Sequence, residues 1–137
     1  MRHRKKDKKL GRSLSHRRAL ISALVCALIE EKRVKTTVAK AKAAKGAAEK
    51  MVTLARKGTL AARRRAIALQ RRPTRVAELF GKIAPQFEGR TGGYTRIIRL
   101  GRRRSDGSEM VFLEWVGISP ADKRKKKKQA EKPEAKA

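Results

Sequence analysis

Residues 92–116 read GGYTRIIRLGRRRSDGSEMVFLEWV, and this stretch decides the fold class. Two runs within it, residues 94–100 and 110–116, are rich in the β-branched and aromatic residues that favour strands. In the second run Val111, Leu113 and Trp115 alternate with Met110, Phe112 and Glu114, which predicts one face turned towards a core. The basic segment between the two runs, tipped by RRRSDG, is typical of a hairpin connection. We therefore predict a C-terminal β-hairpin with Trp115 in the core.

Upstream of the hairpin the sequence predicts helices. The apolar positions between Leu20 and Ile29 recur at intervals of three and four, as on one face of an α-helix, and either Ser13 or Ser15 can cap the N-terminus of that helix. Residues 34–36, which read VKT, are short and β-favouring. They predict a brief strand between the first helix and the second.

Three further helices are predicted from their end signals. Thr37 and Thr59 are N-cap residues for the second and third helices, and Gly58 ends the second. Pro73 breaks the third helix, and Thr74 starts a short fourth one. The positions predicted to face inward are Leu60, Ala66, Ile67 and Ala68 in the third helix and Val76, Leu79, Phe80 and Ile83 in the fourth.

These elements predict an α+β fold. Two strands alone are marginally stable, so the strand at residues 34–36 is expected to join the hairpin in a small sheet. About four helices packed on that sheet make a two-layer domain. The chain is therefore divided into a basic N-terminal extension (residues 1–13), the α+β body (14–118) and a Lys-rich tail (119–137) that is expected to be disordered.

The net charge restricts the class of partner. The chain has 137 residues, with 39 Lys and Arg against 12 Asp and Glu, and therefore carries +27. Self-repulsion at this charge density opposes compaction unless a polyanion supplies counter-charge. Nucleic acid is the expected polyanion, because binding to phosphates releases condensed counterions. A membrane surface is disfavoured by the lack of a long apolar stripe with an aromatic anchor, and the single Cys26 fits a reducing, cytoplasmic environment.

The sequence offers little for catalysis or metal binding. His3 and His16 both lie in the basic leader, and Cys26 has no CxxC partner. The glycine-rich stretch EGRTGGYTR lacks the Lys-Ser/Thr of a phosphate loop and precedes a strand, so we interpret it as a turn. We expect no enzyme, no metal, no cofactor and no small-molecule substrate.

Arginine clusters carry the binding prediction. Residues 63–65, 71–72 and 102–104 are runs of Arg, whose planar guanidinium holds phosphate oxygens bidentately. The chain has no Asn for adenine recognition, and its possible stacking residues are few: Tyr94, Phe87 and Trp115, the last of which is expected in the core. The pattern favours recognition of the backbone shape of a folded RNA. Packaging of duplex DNA requires the same composition and stays open on these grounds.

Three segments of the chain resemble a known family. MRHRKKDKKLGRSLSHRR at the N-terminus, TTVAKAKAAKGAAEKMVTLARKG from Thr36 and GGYTRIIRLGRRRSDG from Gly92 are similar to signature segments of the bacterial large-subunit ribosomal protein family numbered seventeen. The resemblance runs from Met1 to about Val116. Two features depart from the family pattern: the tail beyond Ile118, and Gly46, which stands within a predicted helix where a larger residue is expected.

The resemblance implies a structural role on the large ribosomal subunit. It implies an α+β fold whose basic N-terminal extension enters large-subunit ribosomal RNA, near the exit side of the peptide tunnel, with other large-subunit ribosomal proteins as neighbours. The alternative is a basic, histone-like protein that compacts DNA in the nucleoid. The resemblance and the charge pattern together select as RNA contacts Arg2, His3, Arg4, Lys5, Lys6, Lys8, Lys9, Arg12, Ser15, His16, Arg17, Arg18, Lys40, Arg63, Arg64, Tyr94, Arg96, Arg102, Arg103 and Arg104.

Overall fold

A computed structural model describes residues 8–119 of the chain. The predicted contacts from Arg2 to Lys6, and nearly all of the predicted tail, lie outside the described residues. The elements are α1 (Leu14–Glu31), β1 (Arg33–Thr37), α2 (Val38–Lys57), α3 (Leu60–Gln70), α4 (Pro73–Glu78), β2 (Thr95–Arg102) and β3 (Glu109–Trp115). A π-helical turn (Leu79–Ile83) and a 3-10 turn (Ala84–Phe87) continue from α4. The predicted α+β fold, with four helices and a C-terminal hairpin, is confirmed.

The three strands form one antiparallel sheet in the order β1-β3-β2. The predicted brief strand at residues 34–36 is therefore confirmed, and it pairs with the second strand of the hairpin, Val34 lying opposite Leu113. A bulge between Arg99 and Gly101 shifts the register of β2 against β3. Gly101 has φ +95°, a conformation that residues with a Cβ rarely adopt, so glycine is required at the bulge.

The core lies between the helices and one face of the sheet. From β3 it receives Val111, Leu113 and Trp115, as the alternation predicted. The indole N–H of Trp115 donates to the carbonyl oxygen of Leu28 at 2.9 Å, which fixes α1 against the sheet. The buried face of α2 consists mostly of small residues, which allow its backbone to approach the sheet closely: Ala41, Ala44, Ala48, Met51, Val52 and Ala55.

The starts of α1, α2 and α3 follow the predicted signals in position, whereas α4 begins at Pro73, one residue before the predicted start at Thr74. Gly58 ends α2 in the left-handed conformation, with φ +66°. The hydroxyl of Thr59 accepts a hydrogen bond from the backbone N–H of Ala62 at 3.2 Å, which satisfies one free donor at the start of α3. Ser13 and Thr37 occupy the N-cap positions of α1 and α2, but neither side chain makes a cap hydrogen bond.

The predicted inward face of α3 is partly wrong. Leu60 is 63% exposed and Ala68 is exposed, whereas Ala62, Ala66 and Gln70 are buried. Burial of a glutamine is possible here because its side-chain oxygen accepts hydrogen bonds from the hydroxyl of Ser22 (3.1 Å) and the thiol of Cys26 (3.4 Å) on α1. The buried face of α3 therefore includes a polar residue, whereas Leu60 and Leu69 are exposed.

Candidate nucleic-acid interface

The distal part of the β-hairpin projects beyond the helical layer. We call residues 98–108 the hairpin arm. All five residues from Ile98 to Arg102 are exposed, so β2 is uncovered on both faces there. Arg99, which pairs with Val111 and so lies on the side of the sheet that faces the helices, is exposed because no helix reaches it. The arm therefore presents arginines to solvent in several directions.

The tip of the hairpin arm is held by Asp106. Its carboxylate accepts two hydrogen bonds from the guanidinium of Arg103, at 2.9 and 2.5 Å, and two from the backbone N–H and hydroxyl of Ser108. The hydrogen bonds from Arg103, followed by those from Ser108, hold the pKa of Asp106 well below its usual value. Arg103 is therefore engaged within the tip, whereas the side chains of Arg102 and Arg104 have no partner among residues 8–119.

A second set of exposed arginines lies on and after α3. This α3 cluster consists of Arg63, Arg64, Arg65, Arg71 and Arg72. All of the first three are exposed: Arg64 lies opposite the buried Ala62 and Ala66, whereas Arg63 and Arg65 lie at the borders of that buried face. The guanidinium of Arg63 is 5.0 Å from the centroid of the Phe80 ring, a cation–π contact that limits its rotamers.

The N-terminal turns of α1 form a third basic region. The first buried residue of α1 is Val25, so the earlier turns of the helix extend away from the core. His16 and Arg18 are exposed there, as is Ser15, and Arg17 is half-buried. Ahead of the helix Lys8 and Lys9 are exposed, and the half-buried Arg12 donates to the carbonyl oxygen of Leu10 at 2.8 Å. Lys40, in the first turn of α2, is half-buried.

Some cations are committed to ion pairs within the fold. Arg33, Glu114 and Arg96 lie side by side across the three strands, on the sheet face that points away from the helices. Glu114 is 2% exposed, and its carboxylate accepts from the Nε of both arginines, at 2.5 Å from Arg96. Burial alone raises the pKa of Glu114, but the hydrogen bonds from Arg96 and Arg33 outweigh it and leave the pKa below its usual 4.5. Arg96 is one of the RNA contacts predicted from the sequence. Because Glu114 engages its guanidinium, we expect Arg96 to stabilise the sheet and to contribute little to phosphate binding.

A second ion-pair network joins α1 to α4. Glu78 accepts from Lys32 at 3.0 Å and from Arg75 at 3.3 Å, and Arg75 also contacts Glu30 at 2.7 Å. Burial raises the pKa of Glu78, but the hydrogen bond and charge of Lys32, together with Arg75, lower it by more. Ion pairs of the described residues thus engage Lys32, Arg33, Arg75, Arg96 and Arg103.

The interpretation of Tyr94 and Phe87 as possible stacking platforms is wrong, because each is only 2% exposed. Their ring centroids lie 5.2 Å apart in the core. The hydroxyl of Tyr94 accepts from Arg56 at 2.8 Å and donates to the carbonyl oxygen of Arg90 at 3.1 Å. Tyr94 therefore orders the loop before β2, and its ring faces are not available to bases.

The residue list from the sequence omitted several exposed arginines. Arg65, Arg71 and Arg72 belong to clusters that sequence reasoning identified, but only Arg63 and Arg64 were selected from them. Arg99 was missed altogether. The sequence signal for Arg99 is its spacing: it lies two and four residues after Ile97 and Thr95, on the face of the strand that points towards the core. An arginine at such a position indicates that the strand extends beyond the helices that cover this face.

Other kinds of site are less well supported within residues 8–119. These residues contain no group of three His, Cys, Asp or Glu side chains that could hold a metal ion. The Cys26 thiol is buried, and this burial raises its pKa in spite of the nearby Arg72 and Arg75. No helix in this part of the chain is long and apolar enough to cross a membrane.

Fold and surface together define a small, strongly basic α+β domain whose unpaired arginines are suited to a polyanion. The family model described as ribosomal protein L17 matches residues 20–116, and the chain belongs to that family. The resemblance noted in the sequence is thereby confirmed.

The relatives named large ribosomal subunit protein bL17 match most of the chain. The one from Methylacidiphilum infernorum is 50% identical over 129 residues, which cover 93% of this chain and 98% of the relative. The one from Acidobacterium capsulatum is 46% identical over 130 residues, covering 95% and 81%. The one from Symbiobacterium thermophilum is 50% identical over 111 residues, covering 81% and 98%.

Proposed function

We propose that the chain is a structural constituent of the large ribosomal subunit in the cytoplasm, where it binds and stabilises large-subunit ribosomal RNA. The observation that carries this proposal is its identity of about half with relatives of that name over nearly the whole chain. Its place in a ribosomal protein family gives no support to a catalytic role. Neighbouring large-subunit proteins are the other expected partners.

The proposed mechanism is contact with the RNA backbone through arginines that carry no internal partner. Arg102 and Arg104 in the hairpin arm, and Arg64 in the α3 cluster, are exposed and free to engage phosphates. A guanidinium binds phosphate oxygens bidentately, and each such contact releases counterions. The cation–π contact with Phe80 restricts the side chain of Arg63, and the hydrogen bonds of Asp106 order the tip of the hairpin arm. Less conformational entropy is therefore lost at these two places when RNA binds.

The N-terminal extension is proposed to enter the RNA. Lys8 and Lys9 are exposed and lead directly into the projecting turns of α1, which carry His16 and Arg18. Deletion of residues 2–12 is expected to impair incorporation into the subunit. Deletion of residues 120–137 is expected to weaken RNA binding modestly and to reduce its salt dependence. Equal incorporation of the full-length and leaderless proteins would refute the role of the extension.

Fractionation of cells tests the function as a whole. On a sucrose gradient the chain should migrate with the large subunit, even after a high-salt wash. Recovery chiefly with the nucleoid would instead support the DNA-compacting alternative, which rests on charge alone. Competition between duplex DNA and folded large-subunit ribosomal RNA for the purified chain separates the two: we expect the RNA to displace the DNA.

A further inference from the structure

A groove of about 600 Å³ lies between α2, the C-terminal half of α3 and the loop before β2. Its wall includes the aliphatic side chains of Leu54 and Leu69. Leu69 is 56% exposed and Leu54 is half-buried, so both side chains offer apolar surface to the groove. The groove is separate from the hairpin arm and from both ion-pair networks.

Two glycines that the fold does not require line this groove. Gly46 stands within α2, where glycine is the least favourable residue after proline. A Cβ added at Gly46 or at Gly92 would meet no other heavy atom within 4 Å, and neither residue has the positive φ that would demand glycine. Internal packing and backbone conformation therefore leave both glycines unexplained. A glycine also allows an external group to approach the backbone closely, and both glycines face the same groove.

The charges around the groove indicate what that external group is. Lys50, Lys57 and Arg65 line it, and none of the three has a side-chain partner among the described residues. The one carboxylate at the groove, Glu49, accepts a hydrogen bond from the hydroxyl of Thr95 at 3.2 Å. An occupant must therefore be anionic, thin enough to lie against glycine backbone, and partly apolar. A nucleotide with an exposed base meets all three requirements, whereas a base-paired nucleotide hides the faces of its base within the helical stack.

We propose that this groove binds an unpaired RNA nucleotide, with its sugar–phosphate against Gly46 and Gly92. The phosphates are held by Lys50, Lys57 and Arg65, and the base lies on the aliphatic wall formed by Leu54 and Leu69. This site rests on the proposed function and deepens it: the arginine clusters recognise backbone shape, and the groove selects an unstacked nucleotide. Aliphatic contact with a base is sequence-tolerant, so any of the four bases fits.

Filling the groove tests the proposal. The full-length chain is bound to transcribed large-subunit ribosomal RNA, and unpaired nucleotides are probed at single-nucleotide resolution with dimethyl sulfate and a 2′-hydroxyl acylating reagent. Gly46→Leu blocks the groove, and Gly81→Leu is the matched control, because Gly81 is also exposed, helical and open around its Cβ. The wild type and Gly81→Leu should protect a short unpaired segment. Gly46→Leu should lose at least tenfold of that protection, while the protections elsewhere on the RNA stay unchanged.

The outcomes separate the groove from the function. If Gly46→Leu and Gly81→Leu protect the same nucleotides, the groove does not bind RNA, and the proposed function is unaffected. If the wild type binds the RNA but protects no unpaired nucleotide, the groove proposal is overturned. If the wild type does not bind the RNA, the proposed function itself fails. If Gly46→Leu keeps every protection but releases another protein from reconstituted subunits, the groove is a protein-docking site and the proposal is overturned.

Two further measurements guard against an indirect effect. Leucine favours helix over glycine, so Gly46→Leu should melt at a temperature no lower than the wild type. The double variant Lys50→Gln/Lys57→Gln leaves the groove open but removes two of its cations. It should weaken the same protections, with the others unchanged, and should lower the log–log salt slope by about 1.4, or about 0.7 per phosphate contact with a single strand. Loss of every protection to the same extent would contradict a local site.

Discussion

Arg96 and Arg102 lie on the same strand, β2, in opposite electrostatic environments. Arg96 shares the buried carboxylate of Glu114 with Arg33, across the part of the sheet that the helices cover. Arg102 lies in the hairpin arm, where the strand is uncovered, and its side chain has no partner within residues 8–119. In a chain with 39 basic residues and only 12 acidic ones, the position of the carboxylates decides which cations stabilise the fold and which remain available to phosphates.

The largest expected effect comes from the exposed arginines of the hairpin arm that have no ion-pair partner among the described residues. We call Arg99, Arg102 and Arg104 the unpaired set. Replacing Arg99, Arg102 and Arg104 with Gln should weaken binding to large-subunit ribosomal RNA by about 100-fold near 0.15 M salt, if each arginine holds one phosphate. The unfolding free energy should hardly change, because all three side chains are exposed. Filter binding and urea denaturation measure the two quantities. A large loss of stability with unchanged RNA affinity would show that these arginines stabilise the fold and do not bind the RNA.

Arg33 and Arg96, the arginines paired with Glu114, form the paired set. Disrupting this set should lower stability and leave RNA affinity largely unchanged. Glu114→Gln removes the charge that both arginines share, and should lower the unfolding free energy by about 1–2 kcal/mol, since charge-assisted hydrogen bonds are lost but both arginines can rehydrate. RNA affinity should be maintained or rise slightly, because Arg33 and Arg96 are released. Glu109→Gln, an exposed position on the same strand, is the control and should leave stability unchanged. Equal destabilisation by both variants would show that Glu114 has no special role.

Acid should lower the free energy of unfolding by protonating Glu78 and Glu114, which breaks their ion pairs. The pKa values of Glu78 and Glu114 are lower in the folded chain than the usual 4.5, so the unfolded chain binds more protons as the pH falls through this range. Their contribution to stability is therefore complete above about pH 4.5 and is lost as the pH falls through the folded pKa values. Urea unfolding between pH 6 and pH 3 measures the decline, which should be shallower in Glu114→Gln. A free energy of unfolding that stays constant over this range would contradict the ion-pair interpretation.

The smallest effect is expected at the tip of the hairpin arm. Asp106→Asn keeps an oxygen that can accept from Ser108 but releases Arg103 from its ion pair. If the freed guanidinium gains one phosphate contact, affinity should rise a few-fold and the log–log salt slope should steepen by about 0.7 to 0.9. A fall in affinity would instead show that the ordered tip matters more than the additional cation.

The elements of the fold were predictable because their signals are local. Thr59 as a cap and Gly58 as a helix end depend on neighbours within a few residues, and both lie where the sequence indicated. The buried face of α3 was not predictable from such signals. The burial of Gln70 depends on Ser22 and Cys26, which lie on a helix far away in the chain, and Leu60 is exposed although it is apolar.

The chemical roles of individual arginines were less predictable than their clustering. Composition could show that arginines are abundant and grouped, but Arg96 and Arg102 look alike in the sequence. Their difference depends on the register that places Glu114 between Arg33 and Arg96, and on where the helical layer ends. Tyr94 was misread for a related reason: it is flanked by glycine and polar residues, yet the core encloses its ring.

The comparison between the two sets is tested most directly by the salt dependence of RNA binding in two variants that each lose two charges. Arg102→Gln/Arg104→Gln removes unpaired cations, and Arg33→Gln/Arg96→Gln removes cations paired with Glu114. With folded large-subunit ribosomal RNA, we predict that the first variant lowers the log–log salt slope by about 1.4 to 1.8, while the second changes it by less than about half of one contact. An equal fall in both variants would show that net charge alone, and not the sorting of arginines by carboxylates, governs binding.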